Sequence, residues 1–165
     1  MTTASTGTVF LYCFKTGVLS RAAHDIRLSV QPHRFQQIGP EIHAEFSPLN
    51  IEVDGAMRGG TLDRNGLSNR DKREIRKKLR SEVLKVQSFP EITVSGRHCD
   101  GVFEGQLTLQ SIPRPLRFST TTRGHTTYAE LEIQPSLWGI PPYRALLGAI
   151  QLQDRIRVEC RFPLA

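Results

Sequence analysis

Apolar and polar residues alternate with a period of two along most of this chain. Ile26, Leu28 and Val30 alternate with Arg27 and Ser29, and Ile42, Ala44 and Phe46 with His43 and Glu45. Leu49, Ile51 and Val53 alternate with Asn50 and Glu52. The pattern returns at Ile92 and Val94, at Phe103, Leu107 and Leu109, at Leu116 and Phe118, and at Ala129, Leu131 and Ile133. It is clearest near the end, where Ile156, Val158, Cys160 and Phe162 interleave with Arg155, Arg157, Glu159 and Arg161. Successive side chains of a strand point to opposite faces, so each run predicts a half-buried strand. The first run, Val9 to Phe14, is apolar at every position and is expected to be covered on both faces. Roughly eight strands joined by turn signals such as Asp100-Gly101 and Arg123-Gly124-His125 predict one mainly-β, antiparallel domain, a sandwich or a closed barrel.

Residues 68 to 84 break the pattern. Ser68 and Asp71 have the spacing of a capping box, and Ile75, Leu79 and Val83 recur every four residues, which predicts an inserted α-helix with one apolar stripe. Pro90 prevents the helix from continuing past Phe89. The other faces carry Arg70, Lys72, Arg73, Arg76, Lys77, Lys78 and Arg80, a large share of the cations behind a net charge of +6. Such a helix can grip the phosphates of nucleic acid or of an anionic membrane. It can equally be a solvated face over a structural stripe. It has no aromatic residue for base stacking, and Glu74 and Glu82 dilute its charge, which favours the second reading.

A chain of 165 residues can bury a core without metal or disulfide support, and no run approaches the roughly 20 apolar residues of a membrane-spanning helix. Residues 1–8 are small and polar and are expected to be disordered. Without a basic start or a long apolar stretch they do not resemble a secretory signal, so a cytoplasmic location is expected. Cys13, Cys99 and Cys160 are widely spaced and are read as free thiols. Phosphate-loop, dinucleotide and nucleophile-elbow motifs are missing, and His24, His33, His43, His98 and His125 never fall at metal-ligand spacing. The expectation is therefore a non-enzyme with no catalytic residue, no metal and no cofactor. His24 and Asp25 are adjacent strand residues that point to opposite faces, so His24 is read as making a structural or ligand-orienting hydrogen bond.

The inward faces of these strands are rich in Phe, Leu, Ile and Val, with almost no charged residue among them. A barrel lined in this way is either filled by its own side chains or holds one small ligand. Trp138 and the run Gly139-Ile140-Pro141-Pro142-Tyr143 form a rigid segment suited to a rim, a lid or a plug.

Four pieces, in order, resemble the YceI-like family: Ala23-His24-Asp25-Ile26, the stretch VLKVQSFPEI from Val83 to Ile92, Gly105 to Pro115, and Trp138-Gly139-Ile140. The resemblance runs from about Val9 to Phe162. Gln110-Ser111 stands where the family has His-Gly, Pro113 where it has Thr, and the family's opening Trp-x-x-Asp is missing. The resemblance implies a lipocalin-like barrel that binds polyisoprenoid lipids. On that basis the chain is expected to carry or store an isoprenoid quinone or polyprenyl lipid without catalysis. The expected wall residues are Phe10, Phe46, Phe103, Phe118 and Trp138, with His24, Tyr143 and Arg144 near the polar head. No specific nucleic acid partner is expected; a transient membrane contact and a dimer are both compatible with this reading.

Overall fold

Before the helix the chain forms strands β1 (Thr8–Thr16), β2 (Asp25–Val30), β3 (Arg34–Ile38), β4 (Glu41–Phe46), β5 (Glu52–Arg58) and β6 (Thr61–Asp63), of which β3 and β6 lie outside the alternating runs read from the sequence. After it come β7 (Ile92–Cys99), β8 (Val102–Leu109), β9 (Ile112–Arg123), β10 (Thr126–Ile133), β11 (Arg144–Ala145) and β12 (Ile150–Phe162). The computed structural model describes residues 7–16, 24–145 and 150–164; residues 1–6, expected to be disordered, lie outside the described residues. The strands form a single antiparallel sheet in the order β3-β4-β7-β8-β9-β10-β12-β1-β2-β5-β6, with β11 added beside β12.

That path curls into a barrel-like wall, but its edge strands β3 and β6 do not pair with each other. The barrel expected from the sequence is therefore a curled half-barrel with a seam rather than a hydrogen-bonded cylinder. Strands β4 and β5 lie near opposite ends of the path yet follow one another in sequence, so the 3-10 turn Pro48–Asn50 carries the chain across the seam. This turn corrects one predicted strand. Leu49 is half exposed in the turn, whereas Ile51 and Val53 are buried beyond it.

Helix α1 (Asn69–Lys78) starts at the predicted capping box, with the Ser68 side chain accepting from the Asp71 N–H at 3.1 Å and Asp71 reaching back to the Ser68 N–H. It is shorter than the sequence suggested. Leu79–Val83 continue it as a wider π turn. Arg76 pairs with Glu52 of β5 at 2.6 Å and Arg80 donates to the Leu49 carbonyl, so the helix is pinned beside the seam.

Side chains of α1, β1, β2, β4, β5, β7 and β12 meet in one core cluster around Leu28, Ala44, Phe46 and Val53. Phe35 of edge strand β3 stacks on Phe162 of β12 at 5.4 Å, a contact made across the interior rather than along the sheet. A second cluster of Leu107, Leu109, Trp138 and Ile140 closes the region beneath the π turn. There Trp138, 3% exposed, ends the 3-10 turn Pro135–Trp138 and donates its indole N–H to the Leu107 carbonyl at 2.9 Å.

The outer face of β1 is covered as expected, but by side chains rather than by another element. Phe10 lies under the guanidinium groups of Arg27 and Arg161, at 4.6 and 4.9 Å from the ring centre. Tyr12 lies under Arg157 and Phe14 under Arg155. Each such contact contributes about 0.5–1 kcal/mol at exposed sites.

One cross-strand pair and one turn show what the backbone demands of its residues. Gly96 and Gly105 are cross-strand partners in β7 and β8, and a Cβ on Gly105 would lie 2.6 Å from the Gly96 Cα. Gln110 and Ser111, which join β8 to β9, both have positive φ, at 47° and 63°. Holding an L-residue there costs roughly 1–2 kcal/mol. Gly105→Ala is expected to lower unfolding free energy by about 1–3 kcal/mol through overpacking, and Ser111→Gly to raise it by about 1 kcal/mol. Urea denaturation of the two variants measures both signs.

Candidate functional site

The inward positions of the strands surround a cavity of about 760 Å³. Its wall follows the period of two: Val9, Leu11 and Cys13 of β1, Ile26, Leu28 and Val30 of β2, and Ile42, Ala44 and Phe46 of β4. The wall continues with Phe103, Leu107 and Leu109 of β8, Leu116 and Phe118 of β9, Ala129, Leu131 and Ile133 of β10, and Ile156, Val158, Cys160 and Phe162 of β12. Ile75, Leu79 and Val83 complete the wall from the helix, so the predicted stripe faces the cavity. Room remains because several inward positions carry small residues. Cys13, Ala44, Ala129 and Cys160 line the space, and Gly96 and Gly105 occupy the inward parity of β7 and β8.

One end is polar, contrary to the expectation of almost no charge. His24, Asp71, Glu74, Lys78, Tyr143 and Asp154 all border the cavity there. Asp71 and Glu74 share the helix side of Ile75 and Leu79, a spacing that was legible in the sequence. Asp154 shares the parity of Ile156 and Val158, so the alternation along β12 turns it to the same cavity.

The mouth groups are held in defined states. Hydrogen bonds from Ser68 hold the Asp71 carboxyl below its ordinary pKa. Burial works to raise that of Asp154, but the Ser136 hydroxyl and N–H and the Gln134 amide outweigh it, and the net shift is downward. The side-chain contact with Tyr143, whose ring centre lies 5.7 Å from the ammonium, pushes Lys78 upward. Asp25 is engaged elsewhere, its carboxylate accepting from the Lys15 N–H at 2.8 Å while His24 borders the cavity. A second polar spot is His98, whose Nε2 lies 2.8 Å from the Thr120 hydroxyl in the wall.

Of the residues singled out from sequence, His24, Phe46, Phe103, Phe118 and Tyr143 border the cavity. Phe103 and Phe118 stack on each other at 5.0 Å. Three others are placed differently. Phe10 is on the outer face, because Val9 and Leu11 take the inward parity of β1. Trp138 packs behind the wall as a plug, tied to the Leu107 carbonyl. Arg144 is exposed on β11 and does not line the cavity.

On the outside, His33, Glu45 and Glu91 bring potential metal-ligand atoms within 4.8 Å of one another. Glu45 already interacts with His43 at 2.9 Å and Arg34 at 3.4 Å. The His43 hydrogen bond, with the nearby charges of Arg34 and His33, holds its carboxyl below the usual range. The Glu45 carboxylate is thus already engaged by two side chains.

This is a curled antiparallel β-barrel scaffold enclosing an apolar cavity, with a helix at its polar mouth. Residues 34–164 match the family model described as the YceI-like domain, and the chain belongs to the YceI-like family. The matched span starts later than the stretch of resemblance in the sequence, which begins at about Val9. Among solved structures, the chain is similar to BcnA from Burkholderia cenocepacia, with a TM-score of 0.56, 8% identity and 94% of each chain covered. It is also similar to a polyisoprenoid binding domain from Saccharophagus degradans implicated in plant cell wall breakdown, with a TM-score of 0.56, 10% identity, and 98% of this chain and 93% of that one covered. No curated protein sequence matches the chain.

The wall predicts a sharp difference among the free thiols. Burial pushes Cys13 and Cys160 up to about 12, while Cys99 is exposed. At pH 8 roughly one buried thiol in ten thousand is then thiolate. Titration with a charged disulfide reagent is expected to modify one cysteine rapidly and the other two only after denaturant is added.

Proposed function

We propose that the protein binds and carries a long-chain apolar lipid, of the isoprenoid quinone or polyprenyl type, with its chain in the barrel cavity and its polar head at the mouth, and that it does so without catalysing a reaction. The observation that carries this reading is the apolar cavity of about 760 Å³ in a YceI-like barrel. The cavity opens at a polar mouth through which water can enter, but its wall is almost wholly apolar and suits an aliphatic chain far better than water.

Burial of each CH2 contributes about 0.8 kcal/mol, so ten buried carbons give roughly 8 kcal/mol before the cost of association is subtracted. Apolar burial alone therefore gives weak binding to a short chain and tight binding to a long one. The polar end adds selection rather than strength. Asp71, Glu74 and Asp154 place three carboxylates near a single ammonium, Lys78, which disfavours a heavily anionic head. A neutral carbonyl or hydroxyl head fits this mouth better than a diphosphate, with Tyr143, Lys78 and His24 as its hydrogen-bonding partners. The similar Saccharophagus degradans domain is described as polyisoprenoid binding, which accords with this ligand class.

Organic extraction of the native protein followed by mass spectrometry is expected to recover a long-chain lipid in near-stoichiometric amount. Ala129→Trp, which drives an indole into the cavity, is expected to lower that yield at least tenfold while leaving the far-ultraviolet spectrum unchanged. Repeated extracts without lipid, or full lipid content in the Trp variant, would refute the assignment.

A further inference from the structure

Helix α1 separates its charges by side. Asp71, Glu74, Ile75, Lys78 and Leu79 border the cavity. At roughly 100° per residue, Arg70, Arg73 and Lys77 then lie on the opposite face, and all three are exposed. The remaining cations are used internally: Arg76 on Glu52, Arg80 on the Leu49 carbonyl, and Lys72 on the Arg64 carbonyl. Arg70, Arg73 and Lys77 make no ion pair among the described residues. Arg144, also exposed, follows Tyr143, whose ring lies against Lys78.

We propose that this cationic face docks the protein on an anionic lipid bilayer and so sets the cavity mouth against the surface from which the lipid is taken or to which it is delivered. The inference rests on the lipid-carrier reading, because a long apolar ligand has negligible solubility in water and must be exchanged at a membrane. Charge complementarity selects the partner. Lys and Arg residues clustered on an amphipathic helix are attracted to anionic headgroups, each cation near the surface strengthening binding about fivefold. Nucleic acid fits less well, since the face offers no aromatic side chain on which a base could stack. Asp71 and Glu74 border the cavity, and with Glu74 one turn from both Arg70 and Lys77 the outward face keeps a net positive rather than a purely positive charge.

Co-sedimentation with vesicles tests this, using phosphatidylcholine alone and phosphatidylcholine with one-third phosphatidylglycerol, at low and high salt. The wild type is expected to bind only the anionic vesicles, and salt is expected to weaken that binding. The triple variant Arg70→Gln, Arg73→Gln, Lys77→Gln is expected to bind them on the order of 100-fold more weakly. Its circular dichroism and its uptake of an apolar fluorescent probe are expected to match the wild type. Equal binding to neutral vesicles, no loss in the triple variant, or tighter capture of a single-stranded oligonucleotide than of the vesicles would overturn the proposal. Wild-type protein that takes up the probe but ignores anionic vesicles refutes the docking face and leaves lipid carriage standing. Protein that binds vesicles but never takes up the probe removes the carrier reading and this inference with it.

Discussion

Curling one antiparallel sheet around an apolar interior leaves its two edge strands to be joined without hydrogen bonds between them, and the rest of the molecule follows from how that seam is managed. Strands β3 and β6 end the path unpaired with each other. Three contacts hold the region. The turn Pro48–Asn50 crosses from β4 to β5, Phe35 stacks across the interior on Phe162, and α1 is fastened by the Arg76–Glu52 ion pair and the Arg80 bond to Leu49. An exposed ion pair such as Arg76–Glu52 contributes little by itself, typically about 0–1 kcal/mol. Most of the fastening comes from Ile75 and Leu79, which pack against the main core cluster. The same packing that secures the helix makes it part of the cavity wall.

The cavity exists because the sheet places small side chains inward where a filled core would need large ones. Close packing is the rule in protein interiors, so a wall of Cys13, Ala44, Ala129 and Cys160 facing open space is a departure that needs a reason. An occupant with a long apolar chain supplies one. The glycine pair at Gly96 and Gly105 serves the same geometry, since the two strands approach there too closely for a Cβ. The charged groups collect where the wall ends, where they can be hydrated, while the His98–Thr120 pair is a separate polar spot in the wall.

Charge follows an equally simple division. Most arginines of β12 are spent on the outside of β1, where they cover Phe10, Tyr12 and Phe14 and pair with neighbouring glutamates. Those contacts make an apolar outer strand tolerable in water. The surplus positive charge sits on α1, which is also the element closest to the mouth. The cations and the groups that border the opening therefore share one structural element.

Much of this could be read in advance from local pattern. The alternation at Ile156 to Phe162, the capping box at Ser68 and Asp71, and the stripe of Ile75, Leu79 and Val83 are properties of neighbouring residues, and they predicted strands, helix start and buried face. Phe10 marks where that method stops. Val9 and Phe10 are both apolar, so the pattern has no parity in β1, and only the register against β2 and β12 turns Phe10 toward Arg27 and Arg161. Leu49 continued an alternating run, yet the need to cross the seam bent that stretch into a turn. Trp138 became a plug because the Leu107 carbonyl lay within reach of its indole. By itself, then, the sequence determined which segments are strands, where the helix begins and which of its sides is apolar. Only the tertiary structure decided what faces the cavity at β1, where the wall turns polar and how the sheet meets itself, because those depend on residues far apart in the chain whose relative register no local periodicity encodes.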